Sequence, residues 1–246
     1  MYSRGLRWQG HGFLFSSLAI RKDRMGRKIT AIETQKRNKN RVSIYLDGEY
    51  AFGLARIVAA WLQIGQELSE EKIAELTAAD GHELAYTRAL RLLNQQDRSE
   101  SQIRLHLQRQ GIPDEIVNEV IERLVRAGLV NDERYAQNWV DNRNEFRPRS
   151  RRALAYELKL KGVSKEIADQ ALSRVDEDQL AYQAARKQAR KLQHLPQPEY
   201  RQKMLSFLAR RGFSYETSAP IADQVWAEDH VDDESKDFET TDEVNR

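Results

Sequence analysis

Apolar and polar positions change their rhythm twice along the chain. From about residue 28 to 53 the period is two. Val42, Ile44 and Leu46 alternate with Arg41, Ser43 and Tyr45, as a half-buried strand requires. Asp47-Gly48 is a strong tight-turn pair, so Glu49 to Phe52 is expected to return as a partner strand. Ile29 to Thr34 supplies a third strand, and the polar run Gln35 to Asn40 is expected to be the loop between them. From Ala51 onward the spacing becomes helical. Ser69 marks a helix start, with Ile73 and Leu76 on one face.

The helical part repeats itself. Leu107-Gln-Arg-Gln-Gly111-Ile112, Leu158-Lys-Leu-Lys-Gly162-Val163 and Leu208-Ala-Arg-Arg-Gly212-Phe213 align, with the glycines 51 and 50 residues apart. Eight residues before each glycine stands an apolar residue: Ile103, Leu154 and Met204. Each glycine suits a left-handed helix end, and Pro113 and Ser164 suit the next helix start. Ser99-Glu-Ser-Gln102 is a capping box. Beyond each glycine an apolar stripe follows, as in Val117, Val120, Ile121 and Leu124, then Ala168, Ala171 and Leu172, and more weakly Ile221, Ala222 and Val225. An earlier helix precedes each pair, at 83–93, 133–143 and 179–192. Each unit is therefore three short helices, too small to bury its faces alone, and stacking of neighbours is the expected solution. The fold class expected is mainly α: three tandem three-helix, helix-turn-helix-like repeats in an elongated curved array, behind a small β-hairpin or three-strand element. The boundaries expected are an N-terminal disordered extension over 1–27, the hairpin with short helices over 28–80, repeats over 81–130, 131–177 and 178–227, and a disordered acidic tail over 228–246. The patch Gly12 to Ile20 runs into Arg21-Lys22-Asp23-Arg24 with no small-residue cleavage site, so it reads as an extension or an upstream start, not as a secretory signal.

Composition narrows the function. The chain of 246 residues contains no cysteine, which removes disulfides, thiolate metal sites and cysteine nucleophiles. No apolar run approaches the ~18 residues of a membrane span. Phosphate-loop, dinucleotide-binding and H-E-x-x-H motifs are missing, and the five histidines are scattered. Asp80, His82 and Glu83 cluster at an expected helix start, where such residues cap. No enzyme, metal or cofactor is expected. The net charge of +2 hides an asymmetry: residues 228–246 carry nine acidic and two basic residues, so the remaining residues carry +9. A basic body points to a polyanionic partner.

The basic residues concentrate. Arg143, Arg147, Arg149, Arg151 and Arg152 fall within ten residues, followed by Lys159 and Lys161. Arg152 and Lys159, seven apart, share a helix face. Arg186/Arg190 and Lys187/Lys191 are like-charge pairs at i, i+4, whose repulsion a polyanion, an acidic protein or the chain's own tail would relieve. Arg210 and Arg211 complete the set of candidate contacts. Aromatic residues are not interleaved with them as in a single-strand stacking platform, and Trp139 falls at an apolar position expected to be core.

From about Ile29 to Trp226 the residues resemble the RecX regulatory protein family. The likeness rests on Ala89-Leu90-Arg-Leu-Leu93 with Ser99-Glu100, on Gly128-Leu-Val-Asn-Asp132, on Tyr135-Ala136 and on Trp139-Val140. It continues through Arg143, Pro148-Arg149, Arg152, Glu157-Leu158, Lys161-Gly162-Val163 and Arg211-Gly212-Phe213-Ser214-Tyr215. The resemblance implies three tandem three-helix repeats. It also implies a non-enzymatic bacterial cytoplasmic protein, expected to be a monomer, that binds the RecA recombinase and its single-stranded-DNA filament. Such proteins lodge in the filament groove, suppress ATP hydrolysis and strand exchange, and limit filament growth. The acidic tail departs from the pattern and could cover the basic groove. The competing expectation is a duplex-DNA regulator using a helix-turn-helix unit. Its recognition helices, 114–127 and 165–175, are acidic or mixed, which counts against it.

Overall fold

A computed structural model describes residues 26–239, with side chains through His230. Residues 1–25 and 240–246, on which part of the expected extension and tail fall, lie outside the described residues. The chain divides into two compact units at residues 88 and 89.

In the first unit, strands β1 (Arg27–Gln35), β2 (Asn38–Leu46) and β3 (Glu49–Ala55) form an antiparallel sheet, with the short β4 (Glu67–Leu68) added on the far side in the order β3-β2-β1-β4. The alternation read in the sequence is the buried face: Ile29, Val42, Ile44, Leu46 and Leu54 are all within 6% of full burial. They pack with Leu68, Ala59 and Leu76. Asp47 and Gly48 both have positive φ, 53° and 91°, as a two-residue hairpin turn with the sheet's own twist demands. The expected loop Gln35–Asn40 contracts to Lys36-Arg37, because Asn38 pairs with Gln35 and Asn40 accepts from the Arg56 N–H at 2.8 Å.

Helix α1 (Glu70–Leu93) corrects two expectations. Ser69 does start it, its Oγ accepting from the Lys72 N–H at 3.2 Å. The helix then continues through the expected boundary at 80–81, although Gly81 costs about 1 kcal/mol relative to alanine. Asp80 is therefore no cap. It is 9% exposed and takes both Arg41 nitrogens, at 2.7 and 3.1 Å, and the Ala55 N–H at 2.6 Å. Arg41 also reaches the Gly53 carbonyl at 2.9 Å. One carboxylate thus ties α1 to β2 and β3.

The second unit holds the repeats. They comprise α2 (Glu100–Gln108) and α3 (Asp114–Arg126); α4 (Asp132–Phe146), α5 (Arg151–Leu160) and α6 (Lys165–Leu172); and α7 (Glu177–Ala189), α8 (Gln197–Arg210) and α9 (Tyr215–Glu239). The signals read in the sequence are local and they hold. Gly111, Gly162 and Gly212 have φ of 74°, 78° and 93°. The following Ile112, Val163 and Phe213 N–H groups close back on the carbonyls of Leu107, Leu158 and Leu208 at 3.1 to 3.4 Å, the Schellman closure. Ile103, Leu107, Leu154, Leu158, Met204 and Leu208 are all fully buried. The second repeat closes around Leu154 and Leu158 with Tyr135, Ala136, Val140, Ala168 and Leu172; the third closes around Tyr200, Met204 and Leu208 with Ala181, Ala185, Ala222 and Val225. The tail expectation fails over its first part: α9 is helical through Glu239, and Glu228 and Asp229 are engaged by α7.

Equivalent helices of successive repeats meet end to end. Ser99 caps α2, and its Oγ donates to the Lys161 carbonyl at the end of α5. Ser150 caps α5, and its N–H donates to the Arg211 carbonyl at the end of α8 at 3.2 Å. Both serines are fully buried. The approach is close: a Cβ on Gly162 would overlap Ser101, and one on Gly212 would lie 2.5 Å from Ser150 Oγ. At Gly111 and Gly128 nothing lies within 4 Å.

Two outcomes are expected. Gly111→Ala should cost about 1 kcal/mol from its positive φ alone, whereas Gly162→Ala should cost at least about 1 kcal/mol more, part of it restored by Ser101→Gly. Urea unfolding of the single and double variants checks this, and equal costs at both glycines would refute the seam. Asp80→Ala should cost the first unit about 3 kcal/mol, since it strands Arg41. Hydrogen exchange at β2 and β3 is the readout.

Candidate functional site

The turn Arg147-Pro148-Arg149 between α4 and α5 gathers the cations. Arg143, on the last turn of α4, donates from Nε to Glu157 Oε2 at 2.8 Å. Trp139 Nε1, one turn earlier, donates to the same oxygen at 2.8 Å. Arg149 Nη1 lies 3.0 Å from Glu157 Oε1. Glu157 sits on α5 with its side chain 13% exposed, so one nearly buried carboxylate holds two arginines and an indole. The Trp139 ring is flanked by Arg143 and Lys161, 4.5 and 4.9 Å from its centroid, and stacks on Tyr135 at 6.2 Å. Trp139 is half-buried, and its role is to seat cations as well as to fill the core.

The third repeat adds Arg211. Its Nη1 donates to the Pro148 carbonyl at 2.9 Å and its guanidinium lies 4.5 Å over Phe207. Burial, with Arg149 and Arg147 nearby, lowers its pKa from the ordinary arginine value. Arg143 and Arg149 thus share the Glu157 carboxylate, and Arg147 and Arg211 gather beside Arg149. The start of α5 deepens the imbalance. Every other α-helix among the described residues carries an acid in its first turn, while α5 carries Arg151 and Arg152 there. Cations at that end oppose the helix dipole, and an external anion would relieve them.

The candidates separate into three groups. Arg147, Arg151, Arg152 and Lys159 are exposed, and no described side chain pairs with them. Arg143, Arg149, Lys161 and Arg211 are half-buried and engaged as above. Lys187 donates to the Glu145 carbonyl, while Arg190, Lys191 and Arg210 are exposed and unpaired among the described residues. Arg186 is answered within the chain, by Asp229 and by Glu228 at 3.8 Å. Glu228 also accepts from Tyr182 at 2.7 Å and from Gln224 at 2.8 Å, and those bonds lower its pKa from the ordinary carboxylate value. Of the sources offered for relief at α7, the chain's own acidic segment is the one seen. Sequence reasoning gave Glu157 no site role; it stood only among the residues that carry the family resemblance. The available signal was the i, i+4 pair Trp139 and Arg143. No group of three or more histidine, aspartate or glutamate residues suited to a metal occurs among the described residues, and no described helix is long and apolar enough to cross a membrane.

Tandem three-helix units with end-to-end seams, preceded by a small antiparallel sheet, define a helical-repeat protein. The family models agree part by part. The model for the regulatory protein RecX N-terminal domain matches residues 27–69, and those for the first, second and third three-helix domains of RecX match 85–124, 131–172 and 176–218. The chain belongs to the RecX family. It is 32% identical over 213 residues to the regulatory protein RecX of Bacillus velezensis, covering 85% of this chain and 80% of that one. It is 29% identical to that of Clostridium beijerinckii, covering 84% and 99%. A crystal structure of regulatory protein RecX superposes with a TM-score of 0.64 at 33% identity, over 80% of this chain and 99% of that chain.

Glu157→Ala should cost about 2–4 kcal/mol, because it leaves two arginines without their carboxylate. Arg149→Ala, at a 41% exposed side chain, should cost under about 1 kcal/mol. Chemical denaturation gives both values, and a red shift of tryptophan emission confined to the Glu157 variant would report the freed indole. Equal costs would count against the shared carboxylate.

Proposed function

We propose that this chain is a non-enzymatic regulator that binds the RecA recombinase and its single-stranded-DNA filament in the bacterial cytoplasm. It bridges neighbouring filament subunits and restrains ATP turnover, strand exchange and filament growth. The observation that carries the reading is the uncompensated positive surface of the second and third repeats: exposed Arg147, Arg151, Arg152 and Lys159, with Arg211 and Arg149 packed behind them. Membership of the RecX family supports RecA as the partner. A filament presents phosphates and acidic side chains at a regular spacing, and repeats of similar build can meet several subunits at once. Weak contacts so linked add as multivalent binding, and a bridge between subunits opposes the movement that each ATP cycle requires.

Arg190, Lys191 and Arg210 extend the same surface, and Arg186 joins it once Glu228 and Asp229 release it. Duplex readout by a recognition helix has less support: α3 opens with Asp114 and Glu115, and Lys165 of α6 is held by Asp169 at 2.7 Å.

The test is single-stranded-DNA-dependent ATP hydrolysis by RecA from the same source, with this protein titrated in. Inhibition is expected below one molecule per RecA subunit. The triple variant Arg147→Glu, Arg152→Glu, Lys159→Glu is expected to lose it while keeping its fold. The slope of log affinity for single-stranded DNA against log salt should fall in magnitude by about 2 for three lost phosphate contacts. No inhibition at any ratio, or full inhibition by the triple variant, would overturn the reading.

A further inference from the structure

The outward face of α5 carries an aromatic ring that the basic seam does not use. Tyr156 is 61% exposed. It stands four residues after Arg152 and three before Lys159, so the three side chains line one helix face with the ring between the cations. The absence of interleaved aromatics expected from the sequence is thereby corrected, because Arg152, Tyr156 and Lys159 adjoin only once α5 is wound. Beside the ring, Ala155, Val163 and Ala168 line a groove of about 440 Å³ between α5 and α6, together with Lys159 and the Lys165–Asp169 ion pair. Lys165 is tied to Asp169, whereas Arg152 and Lys159 have no described partner.

We propose that this groove is a slot for one unpaired nucleotide of a single-stranded nucleic acid, its base stacked on Tyr156 and its flanking phosphates on Arg152 and Lys159. The volume falls in the range of small-ligand clefts. An apolar side chain of a protein partner would fill the floor but leave two cations desolvated without counter-charge, at a cost. A nucleotide supplies a flat ring and an anion together. The strand must be unpaired, because a base exposes its face to a protein ring only when it has left the stack. The slot rests on the proposed function only in taking α5 as part of the polyanion-facing surface, and it needs no RecA.

The experiment uses the full chain without RecA. Fluorescence anisotropy compares its binding to an oligothymidine and to an abasic oligomer with the same number of phosphates. The wild type should prefer the oligothymidine. Tyr156→Ala should weaken oligothymidine binding by between about 5- and 150-fold and leave abasic binding unmoved, and Tyr156→Phe should restore the preference. Arg152→Ala with Lys159→Ala should weaken both ligands and flatten their salt dependence. Circular dichroism and the thermal midpoint should be unchanged for a ring this exposed. Equal wild-type affinity for the two oligomers, no binding of either at low salt, or a parallel loss of both in Tyr156→Ala would overturn the slot. RecA ATPase inhibition by the same variants separates the two readings. If Tyr156→Ala spares both oligomers but loses inhibition, the groove takes a protein side chain and the nucleotide proposal falls while the RecA reading stands.

Discussion

The joint between the start of a repeat's middle helix and the end of the next repeat's middle helix, α2 to α5 and α5 to α8, is the constraint on which the helical unit depends. Lys161 ends α5 with carbonyls that the helix itself cannot satisfy, and Ser99 at the start of α2 donates to one of them. At the next seam the Ser150 N–H donates to the Arg211 carbonyl. Opposite ends of helix dipoles face each other across both joints, which favours the contact. The joint admits no Cβ on the glycine beside it, so Gly162 and Gly212 serve twice: they turn the chain out of the helix, and they let the neighbour approach. Where only the turn is needed, at Gly111 and Gly128, the space stands open.

Charge is arranged around these joints with one exception. Acids open the other α-helices and offset their positive ends, whereas α5 opens with two arginines. The seam behind it gathers further cations on one carboxylate, Glu157. That carboxylate fixes the direction of two guanidiniums and an indole, so the surface is shaped before any partner arrives. At α7 the opposite choice is made. Asp229 and Glu228 from the chain's own last helix answer Arg186, and Tyr182 holds Glu228 in place. Arg186 is thus matched within the chain, whereas Arg151 and Arg152 at the start of α5 are not.

The parts that were legible in the sequence are those set by neighbours a few residues away. The hairpin at Asp47-Gly48, the helix ends at the three glycines, the cap at Ser99 and the buried stripe through Leu154 and Leu158 all declare themselves through spacing or backbone preference. What stayed hidden depends on a partner far along the chain. Asp80 looks like a cap until Arg41, 39 residues earlier, is brought to it. Glu157 looks like a gap in a basic run until α4 lays Arg143 against it. The continuity of α1 through Gly81 is a case of tertiary ties outweighing a weak local preference. The acidic segment read as a free tail is helical because it continues α9, whose earlier residues are fixed by the third core.

The seams are built from the same parts at nearly the same spacing, with caps 51 residues apart at Ser99 and Ser150 and helix ends 50 apart at Lys161 and Arg211. The donor differs, the Ser99 hydroxyl at one joint and the Ser150 N–H at the other, but both join a serine-capped start to a glycine-terminated end. An in-frame loss or duplication of one such length leaves a serine-capped start facing a glycine-terminated end, ready to couple again. Variation in the number of repeats therefore requires no new interface, and the length of this kind of protein is free to change in steps of one unit while its internal chemistry stays constant.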